Sequence, residues 1–235
     1  MKQGRLSIGV VGSEIAGIAM AQALLAAGHQ VVAITTDPLD TDERIELMLP
    51  LAKKLSDEEI LAASELVLLA VPSSEIESTV SRLSDFFRAG QLVVHLAAEY
   101  DHEILFSAQA KGAIPLAIHP AMRFTGTSLD INRMKESFFA VSAPAVALPI
   151  AQALVIEMGA EPIVIASKAR ASYAEAIAVA SNFSAMIVNQ AVGLLEQAGV
   201  ENPSLVIAPV IESAVDQALS KGHRQINPED LIGDL

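Results

Sequence analysis

The chain has 235 residues, 52% hydrophobic and 18% charged, enough apolar material for the core of one globular unit or two small ones. Its 15 basic and 28 acidic residues give a formal charge of -13, which disfavours nucleic acid as a partner. The absence of cysteine excludes disulfides and thiol chemistry. We find neither the pattern of a signal peptide nor an uninterrupted apolar run of membrane-spanning length, and we expect a cytoplasmic protein without a membrane span.

In the first 167 residues, short apolar runs alternate with helix-length segments. The predicted strands are 6–11, 31–35, 66–71, 92–96, 114–118, 138–142 and 163–165. The predicted helices are 15–27, 43–49, 74–87, 103–111 and 148–158. Strands that are apolar throughout and separated by single helices pair in parallel, with both sheet faces buried. The sequence therefore predicts an α/β fold with a Rossmann-type, doubly wound, mainly parallel sheet.

From residue 168 onward the pattern becomes helical. An alanine-rich helix is predicted for 171–198 and a second helix for 203–221, so we place a domain boundary at 167 and predict a small all-helical C-terminal domain, 168–235. The first of these helices is apolar around most of its circumference, which a surface helix of a monomer would not sustain. It should pack against the sheet domain or against a second copy, and we expect a homodimer through the C-terminal helices.

The first strand leads into the turn VVGSEIAG, where Gly12 and Gly17 match the first and third glycines of a dinucleotide-binding G-x-G-x-x-G turn. Glu14 occupies the position of the second glycine. A carboxylate about 4 Å from a phosphate costs on the order of 4 kcal/mol at a dielectric near 20. Glu14 is also favourable in the first turn of a helix, through the macrodipole. We expect weakened or lost dinucleotide binding, the alternative being binding with Glu14 swung aside.

Other candidate cofactor contacts follow the later strands. Asp37, near the end of the second strand, is placed to accept a ribose hydroxyl, although an aspartate before Pro38 is equally natural in a turn. The nearest arginine is Arg44, which argues against direct arginine contact with the extra phosphate of NADP. The candidate cofactor-binding residues are Gly12, Ser13, Glu14, Ile15, Gly17, Thr35, Asp37, Val71, Pro72 and Ser73.

Two histidines fall at the ends of successive predicted strands, where ligands bind in open parallel sheets. His95 and His119 are candidates for general acid and base; alternatively, each caps a strand end by hydrogen bonding to a neighbouring loop. Arg123 is a candidate for binding a substrate carboxylate, with a solvated arginine as the alternative. No spacing of histidines or carboxylates predicts a metal site.

Several stretches together carry a family resemblance. They are VVGSEIAGIAMAQALLAAGHQVVAIT, SELVLLAVPSSEI, GQLVVHLAAE, GAIPLAIHPAMRFTG and RASYAEAIAVASN, in this order over nearly the whole chain. The sequence resembles Rossmann-like dehydrogenases of the 6-phosphogluconate dehydrogenase-like superfamily, similar to pyrroline-5-carboxylate and ketopantoate reductases. This resemblance implies NAD or NADP as cofactor and a helical C-terminal domain that often dimerises.

The same comparison implies that several polar signature positions have changed. Glu14 replaces a glycine, Ala97 and Ala98 stand where a Ser-Gly pair is expected, and Ala174 replaces a histidine. A terminal Gly-Pro-x-x-Arg-Gly-Asp stretch appears only as Asn227-Pro228 to Gly233-Asp234, without its arginine. Residues that frame the fold are kept, while residues for chemistry are missing.

The first C-terminal helix carries a polar stripe at sevenfold spacing, Glu175, Asn182 and Asn189. By resemblance, Asn182 is a candidate catalytic residue; polar residues that set the register of a helix dimer are the alternative. Glu175 and Tyr173 are candidate substrate contacts, with Tyr173 on the opposite face. We expect an NAD(P)-dependent oxidoreductase for a small carboxylated metabolite, or alternatively a non-catalytic Rossmann-like dimer that binds a small ligand or a protein.

Overall fold

The computed structural model describes residues 5–35 and 43–222, in which one eight-stranded sheet forms the centre of the fold. The strands are β1 (Ser7–Gly12), β2 (Gln30–Ile34), β3 (Lys53–Lys54), β4 (Leu66–Ala70), β5 (Leu92–His95), β6 (Ile114–Pro120), β7 (Phe138–Ser142) and β8 (Glu161–Val164). Their order is β3-β2-β1-β4-β5-β6-β7-β8. All neighbours pair in parallel except β6 and β7, which are antiparallel. The predicted α/β fold is confirmed.

Helices connect most of the strands. They are α1 (Ile15–Ala26), α2 (Glu43–Met48), α3 (Asp57–Ala63), α4 (Ile76–Arg82), α5 (Phe106–Gln109), α6 (Leu129–Lys135), α7 (Leu148–Glu157), α8 (Arg170–Gln197) and α9 (Pro203–Lys221). Buried residues form two apolar clusters, one containing α1 and α7 residues and the other containing residues of α3, α4 and α5. Alternate residues of β4 enter different clusters, Leu66 and Leu68 the first, Val67 and Leu69 the second. A strand buried on both faces needs this unbroken apolar run, which explains LVLLA in β4.

Three elements escaped the sequence prediction. The two residues of β3 are exposed lysines, which carry no strand pattern. Helix α3 begins with a capping box, in which the Ser56 side chain accepts from the Glu59 N–H and the Glu59 carboxylate accepts from the Ser56 N–H. Helix α6 has only seven residues, too few to show a helical period. The predicted helix 74–87 is a 3₁₀ turn, then α4, then a second 3₁₀ turn.

The chain divides into two compact units, Met1–Ile177 and Ala178–Leu235. The division falls within α8, ten residues beyond the boundary predicted at 167. The physical reason is that the first turns of α8 carry side chains bound into the sheet unit. Arg170 is 1% exposed and Tyr173 is half-buried.

The second unit leaves its apolar side chains exposed in the single chain. In α8, Phe183 is 56% exposed and Met186 is 63% exposed; in α9, Leu205 and Leu219 are each 75% exposed. A groove of about 250 Å³ between the two helices has an apolar lining of Ser184, Ile187, Ile211, Ala214, Val215 and Ala218. Within the described residues, no element packs over these apolar side chains, although the sequence predicts that the first C-terminal helix packs against the sheet domain or a second copy.

One segment, Ser167–Gln197, has the length and composition of a membrane-spanning helix, with a mean hydropathy of 1.4 over its most apolar window. This differs from the expectation of no span, because uncharged alanines raise the mean hydropathy around scattered polar residues. An apolar interface helix of a protein outside the membrane has the same length and composition.

Candidate functional site

The turn between β1 and α1 requires both of its glycines. Gly12 has φ +92°, and a Cβ there would lie 2.3 Å from the carbonyl oxygen of Ala70. A Cβ on Gly17 would lie 2.2 Å from the Cβ of Ala70, because α1 crosses the end of β4 at close range. The two glycines therefore have the structural roles that a dinucleotide-binding turn assigns to them, a tight turn and close helix–strand packing.

Glu14 is the N-cap residue of α1, with φ −57° and ψ 136°. Its backbone N–H donates to the Ala70 carbonyl at 2.9 Å, and its own carbonyl accepts from Gly17 and Ile18. The side chain is exposed and makes no capping hydrogen bond. Glu14 thus precedes the first turn of α1, where the sequence analysis had placed its charge, and that turn contains no acidic residue.

A cleft of about 340 Å³ opens beside this turn. Its lining comprises Glu14, Ala16, Leu69, Ala70, Val71, Pro72, Ser73, Leu96 and Ala97. The chain leaves β1 toward β2 on one side and returns to β4 on the other, so the cleft lies at the switch point of the sheet, where α/β proteins bind ligands. Four predicted cofactor residues, Glu14, Val71, Pro72 and Ser73, are brought together here, whereas the neighbouring Ser13 and Ile15 are outside the lining.

The cleft fits a dinucleotide in backbone shape and opposes it in charge. Gly12 and Gly17 bring the backbone close to β4, and the N-terminus of α1 faces this end of the sheet, as pyrophosphate binding requires. The exposed Glu14 carboxylate stands at the same helix end. Among these residues, only Glu14 carries a charge.

The end of β2 is occupied by a small polar network. The Thr35 hydroxyl donates to Asp57 Oδ1 at 2.5 Å, and Arg82 Nη2 donates to Asp57 Oδ2 at 2.5 Å. Thr35, a candidate cofactor contact, is therefore engaged within the protein. The other candidate at this position, Asp37, lies outside the described residues, as does the terminal stretch 227–234.

His95 ends β5 and is fully buried. Its Nδ1 accepts from the Ala97 N–H at 3.2 Å, and its Nε2 lies 3.1 Å from the Asp101 carbonyl oxygen, so this nitrogen carries the proton. Burial lowers the pKa of His95 to about 4. These contacts agree with the alternative given for His95, a strand-end cap that hydrogen-bonds a neighbouring loop, and they engage both of its ring nitrogens within the protein.

His119, near the end of β6, is paired with a phenol from α8. Its Nδ1 lies 2.8 Å from the Tyr173 hydroxyl, and the rings meet edge to face at 5.5 Å. Burial, followed by the positive charge of Arg170, lowers the pKa of His119 to about 4, so the imidazole is neutral at pH 7. Burial raises the pKa of Tyr173, and the charge of Arg170 opposes this shift. Both residues are candidates from the sequence, which gives no reason to pair them.

A buried ionic network surrounds this pair. Arg170 Nη2 donates to the Ser142 hydroxyl at 2.8 Å, and Ser142 in turn hydrogen-bonds Asp101. Asp101 also accepts from Ser167 and from His102. Burial alone would raise the pKa of Asp101, but these hydrogen bonds outweigh it and hold the pKa below its usual value. The sequence does not predict this network, because Ser142 and Arg170 are 28 positions apart, Asp101 and Ser167 are 66 positions apart, and no local pattern links them.

The loop after β6 is organised by another carboxylate. Asp130 is fully buried and accepts from the N–H groups of Thr125 and Gly126 and from the Thr125 hydroxyl. Arg123, in the same loop, is exposed, as the solvated alternative for it would require. In the described part of the chain, no group of three or more histidines or carboxylates is arranged for a metal ion.

The remaining candidates on α8 do not join the pair. Glu175 is exposed in the first unit, on a different side of the helix from Tyr173. Asn182 and Asn189 belong to the second unit and are exposed there. The face of α8 that meets His119 is the one carrying Arg170 and Tyr173.

Comparisons with known proteins agree with this architecture. Residues 1–120 match the family model of the Rossmann-like domain, and residues 137–227 match a domain of unknown function, DUF2520. The chain belongs to this Rossmann-like family. The family resemblance seen in the sequence is thereby confirmed. A search of curated proteins gave no match.

Solved structures with similar folds include oxidoreductases. A Bacteroides fragilis protein named "putative NADP oxidoreductase BF3122" is 18% identical, with a TM-score of 0.75 over 95% of this chain and 85% of its own. The 1-pyrroline-5-carboxylate reductase of Streptococcus pyogenes is 16% identical, with a TM-score of 0.69 over 97% and 84%. A Plasmodium falciparum pyrroline carboxylate reductase with NADP bound is 12% identical, with a TM-score of 0.66 over 99% and 86%. At these identities the likeness shows the fold.

Proposed function

We propose that this protein is an NAD(P)-dependent oxidoreductase that acts on a small carboxylated metabolite. One observation carries the proposal: the switch-point cleft beside Gly12 and Gly17 lies on the same edge of the sheet as the hydrogen-bonded pair His119 and Tyr173. The fold similarity to reductases supports it.

The cleft residues divide the work of binding. The N-terminus of α1 and the Gly12 turn would hold the pyrophosphate, while Val71, Pro72 and Ser73 at the end of β4 would line the path toward the nicotinamide. When bound, the cofactor supplies hydride transfer to or from a carbon of the substrate. Glu14 would repel the pyrophosphate, so the affinity depends on where its side chain points.

Tyr173 and His119 would handle the proton. Reduction of a carbonyl or imine requires a proton on oxygen or nitrogen as well as a hydride on carbon. The neutral His119 donates from Nδ1 to the phenol oxygen in one tautomer, which leaves the Tyr173 O–H free to protonate the substrate. His119 orients the phenol, and Tyr173 is the group that would touch the reacting atom.

A binding titration tests this function. We expect wild-type protein to bind NADH and NADPH with dissociation constants above about 0.1 mM, and Glu14→Gly to bind about tenfold to a thousandfold more tightly. Glu14→Gln is the matched control, because it removes the charge and keeps the side chain's size. A comparable gain in both variants identifies repulsion; a gain only in the glycine variant identifies steric hindrance.

Two outcomes would change these conclusions. Low-micromolar binding by the wild type would keep the oxidoreductase and overturn the penalty assigned to Glu14. No binding by any of the three proteins would overturn the dinucleotide function. The second candidate function, a non-catalytic ligand-binding relative, is supported by Glu14 and by Ala97 in the cleft; dinucleotide binding without turnover on carbonyl and imine acids would favour it.

We also propose that the protein is a cytoplasmic homodimer assembled through α8 and α9. Their exposed apolar side chains need cover, and a second copy of the same surface supplies it symmetrically. Phe183→Asp should shift light scattering from dimer to monomer, whereas Gln190→Asp, an exposed polar position on the same helix, should not. A wild-type monomer at micromolar concentration, or wild-type protein that requires detergent, would contradict the proposal.

A further inference from the structure

Arg170, the first residue of α8, is a buried cation with unused hydrogen-bond donors. Its side chain is 1% exposed. Only Nη2 is bonded, to the Ser142 hydroxyl at 2.8 Å, while Nε and Nη1 have no partner among the described residues. Buried polar groups in folded proteins almost always have partners, so two free nitrogens on one guanidinium call for an additional acceptor.

No carboxylate of the described chain supplies that acceptor by direct contact. The charge of Asp101 acts on Arg170, but its two oxygens already accept from His102, Ser167 and Ser142. Ser142 stands between the two charges. Arginine is seldom buried without a paired anion, which indicates that the partner of Arg170 comes from outside these residues.

The unsatisfied guanidinium is close to the pair that would handle the proton. Its positive charge acts on both His119 and Tyr173, and Tyr173 follows it by three residues, one turn along α8. A ligand that accepted from Arg170 would therefore have its other atoms near the phenol. By contrast, Arg123 is exposed, so its guanidinium is accessible to solvent.

We propose that Arg170 binds the carboxylate of the substrate and that this substrate is a small acid with a carbonyl or imine group next to Tyr173. The inference deepens the proposed function and rests on it for the reaction, although not for the binding of the acid. A guanidinium suits this role because it presents several fixed N–H donors to a carboxylate.

Calorimetric titration of the full chain with matched acids and amides tests the assignment. The probes are pyruvate against pyruvamide and L-proline against L-prolinamide, each at constant ionic strength, with and without NADPH. At least one acid should bind about tenfold or more tightly than its amide, because only the acid offers an anion to Arg170. Equal binding of acid and amide in both pairs, or no binding of either acid, would overturn the proposal.

Two variants separate Arg170 from general charge. Arg170→Gln should weaken acid binding about tenfold or more, while Arg123→Gln, which removes the same charge from the exposed position, should change it less than about twofold. The opposite ranking would assign the carboxylate to Arg123. If Arg170→Gln fails to fold, the Nε–H resonance of Arg170 in ¹⁵N-labelled wild type gives the answer: it should shift on adding the acid and stay unmoved with the amide or with sodium chloride.

The results distinguish this inference from the proposed function. Acid binding that depends on Arg170, in a protein that binds neither NADH nor NADPH, would keep the carboxylate site and remove the oxidoreductase. Dinucleotide binding without discrimination between acid and amide would do the reverse. A resonance of Arg170 that responds equally to chloride and to the acids would show a nonspecific anion effect and overturn the site.

Discussion

The two halves of the sheet's carboxyl edge differ in what shapes them, close backbone packing in one and charged side chains in the other. Beside β1 and β4, the backbone comes close enough that glycine is required at two positions, and the cleft lining is mostly apolar. Beside β6, β7 and the start of α8, side chains supply charge: Arg170, Asp101, His119 and Tyr173 interact within one network. One half is defined by shape and the other by electrostatics.

The difference teaches that the halves can change independently. A substitution such as Glu14 alters the charge of the first half without disturbing its backbone, because the side chain makes no structural hydrogen bond. In the second half, the polar groups are linked to one another by hydrogen bonds and Arg170 and Ser142 are buried, so a single change leaves partners unsatisfied. We expect the largest stability effects from the electrostatic half under acid and the smallest from Glu14.

Lowering the pH should have the largest effect on stability, through the histidines of the electrostatic half. The folded protein keeps His95 and His119 neutral down to about pH 4, whereas the unfolded chain protonates them near 6.5. The free energy of unfolding should therefore fall as the pH drops from 6.5 to 4, by about 3 kcal/mol for each histidine. Urea unfolding across this range measures the slope, and His119→Gln should remove part of it. A slope unchanged by the substitution would contradict the contribution assigned to His119.

A side chain at Gly17 should disrupt the close packing of α1 against β4. Gly17→Val places atoms where a Cβ already lies 2.2 Å from the Cβ of Ala70, so α1 must move off β4. We expect the free energy of unfolding to fall by about 3 kcal/mol. Gly193→Ala, whose Cβ meets nothing within 4 Å, is the control and should be neutral or slightly stabilising. Equal effects of the two substitutions would contradict the close approach.

Removing the Tyr173 hydroxyl should lower stability by a smaller amount. Tyr173→Phe deletes the hydrogen bond to His119 and keeps the edge-to-face ring contact, so we expect a loss of about 1 kcal/mol in unfolding free energy. Tyr100→Phe, at a residue that is 37% exposed, provides the comparison and should change stability by a few tenths of that amount. If the Tyr173→Phe protein were as stable as the wild type, the hydrogen bond between His119 and Tyr173 would not contribute to stability.

Glu14→Gly should have the smallest effect on stability. The side chain caps nothing, and glycine is itself an acceptable N-cap residue, so the free energy of unfolding should change by less than about 0.5 kcal/mol. The same substitution should change dinucleotide affinity strongly. Urea unfolding of the two proteins checks this prediction, and a loss near 1 kcal/mol would show that the charge stabilises α1 through its dipole after all.

The sequence predicts the sheet unit well because its signals are local. Apolar runs such as LVLLA, the glycines of the β1–α1 turn and Pro203 at the start of α9 each indicate an element without reference to distant residues. The antiparallel pairing of β6 with β7 has no such signal, because an apolar strand reads the same in either direction.

The candidate site was predicted in part for the same reason. His119 and Glu14 belong to recognisable strand and turn positions, so both were found. The partnership of Arg170 with Ser142, 28 positions away, depends on how the start of α8 packs against β7, which no spacing in the sequence encodes. Helical periodicity put Tyr173 on a different face from Glu175, but it did not show which face meets the sheet.

The buried imidazole of His95 provides a measurable report on how often the end of β5 opens to solvent. Its Nε2 proton points to the Asp101 carbonyl, and no surface of the ring reaches solvent, so this proton leaves only when the segment 96–101 opens. The exchange lifetime of that single ring proton, measured by NMR in deuterated solvent, therefore gives the frequency of local opening of the segment 96–101.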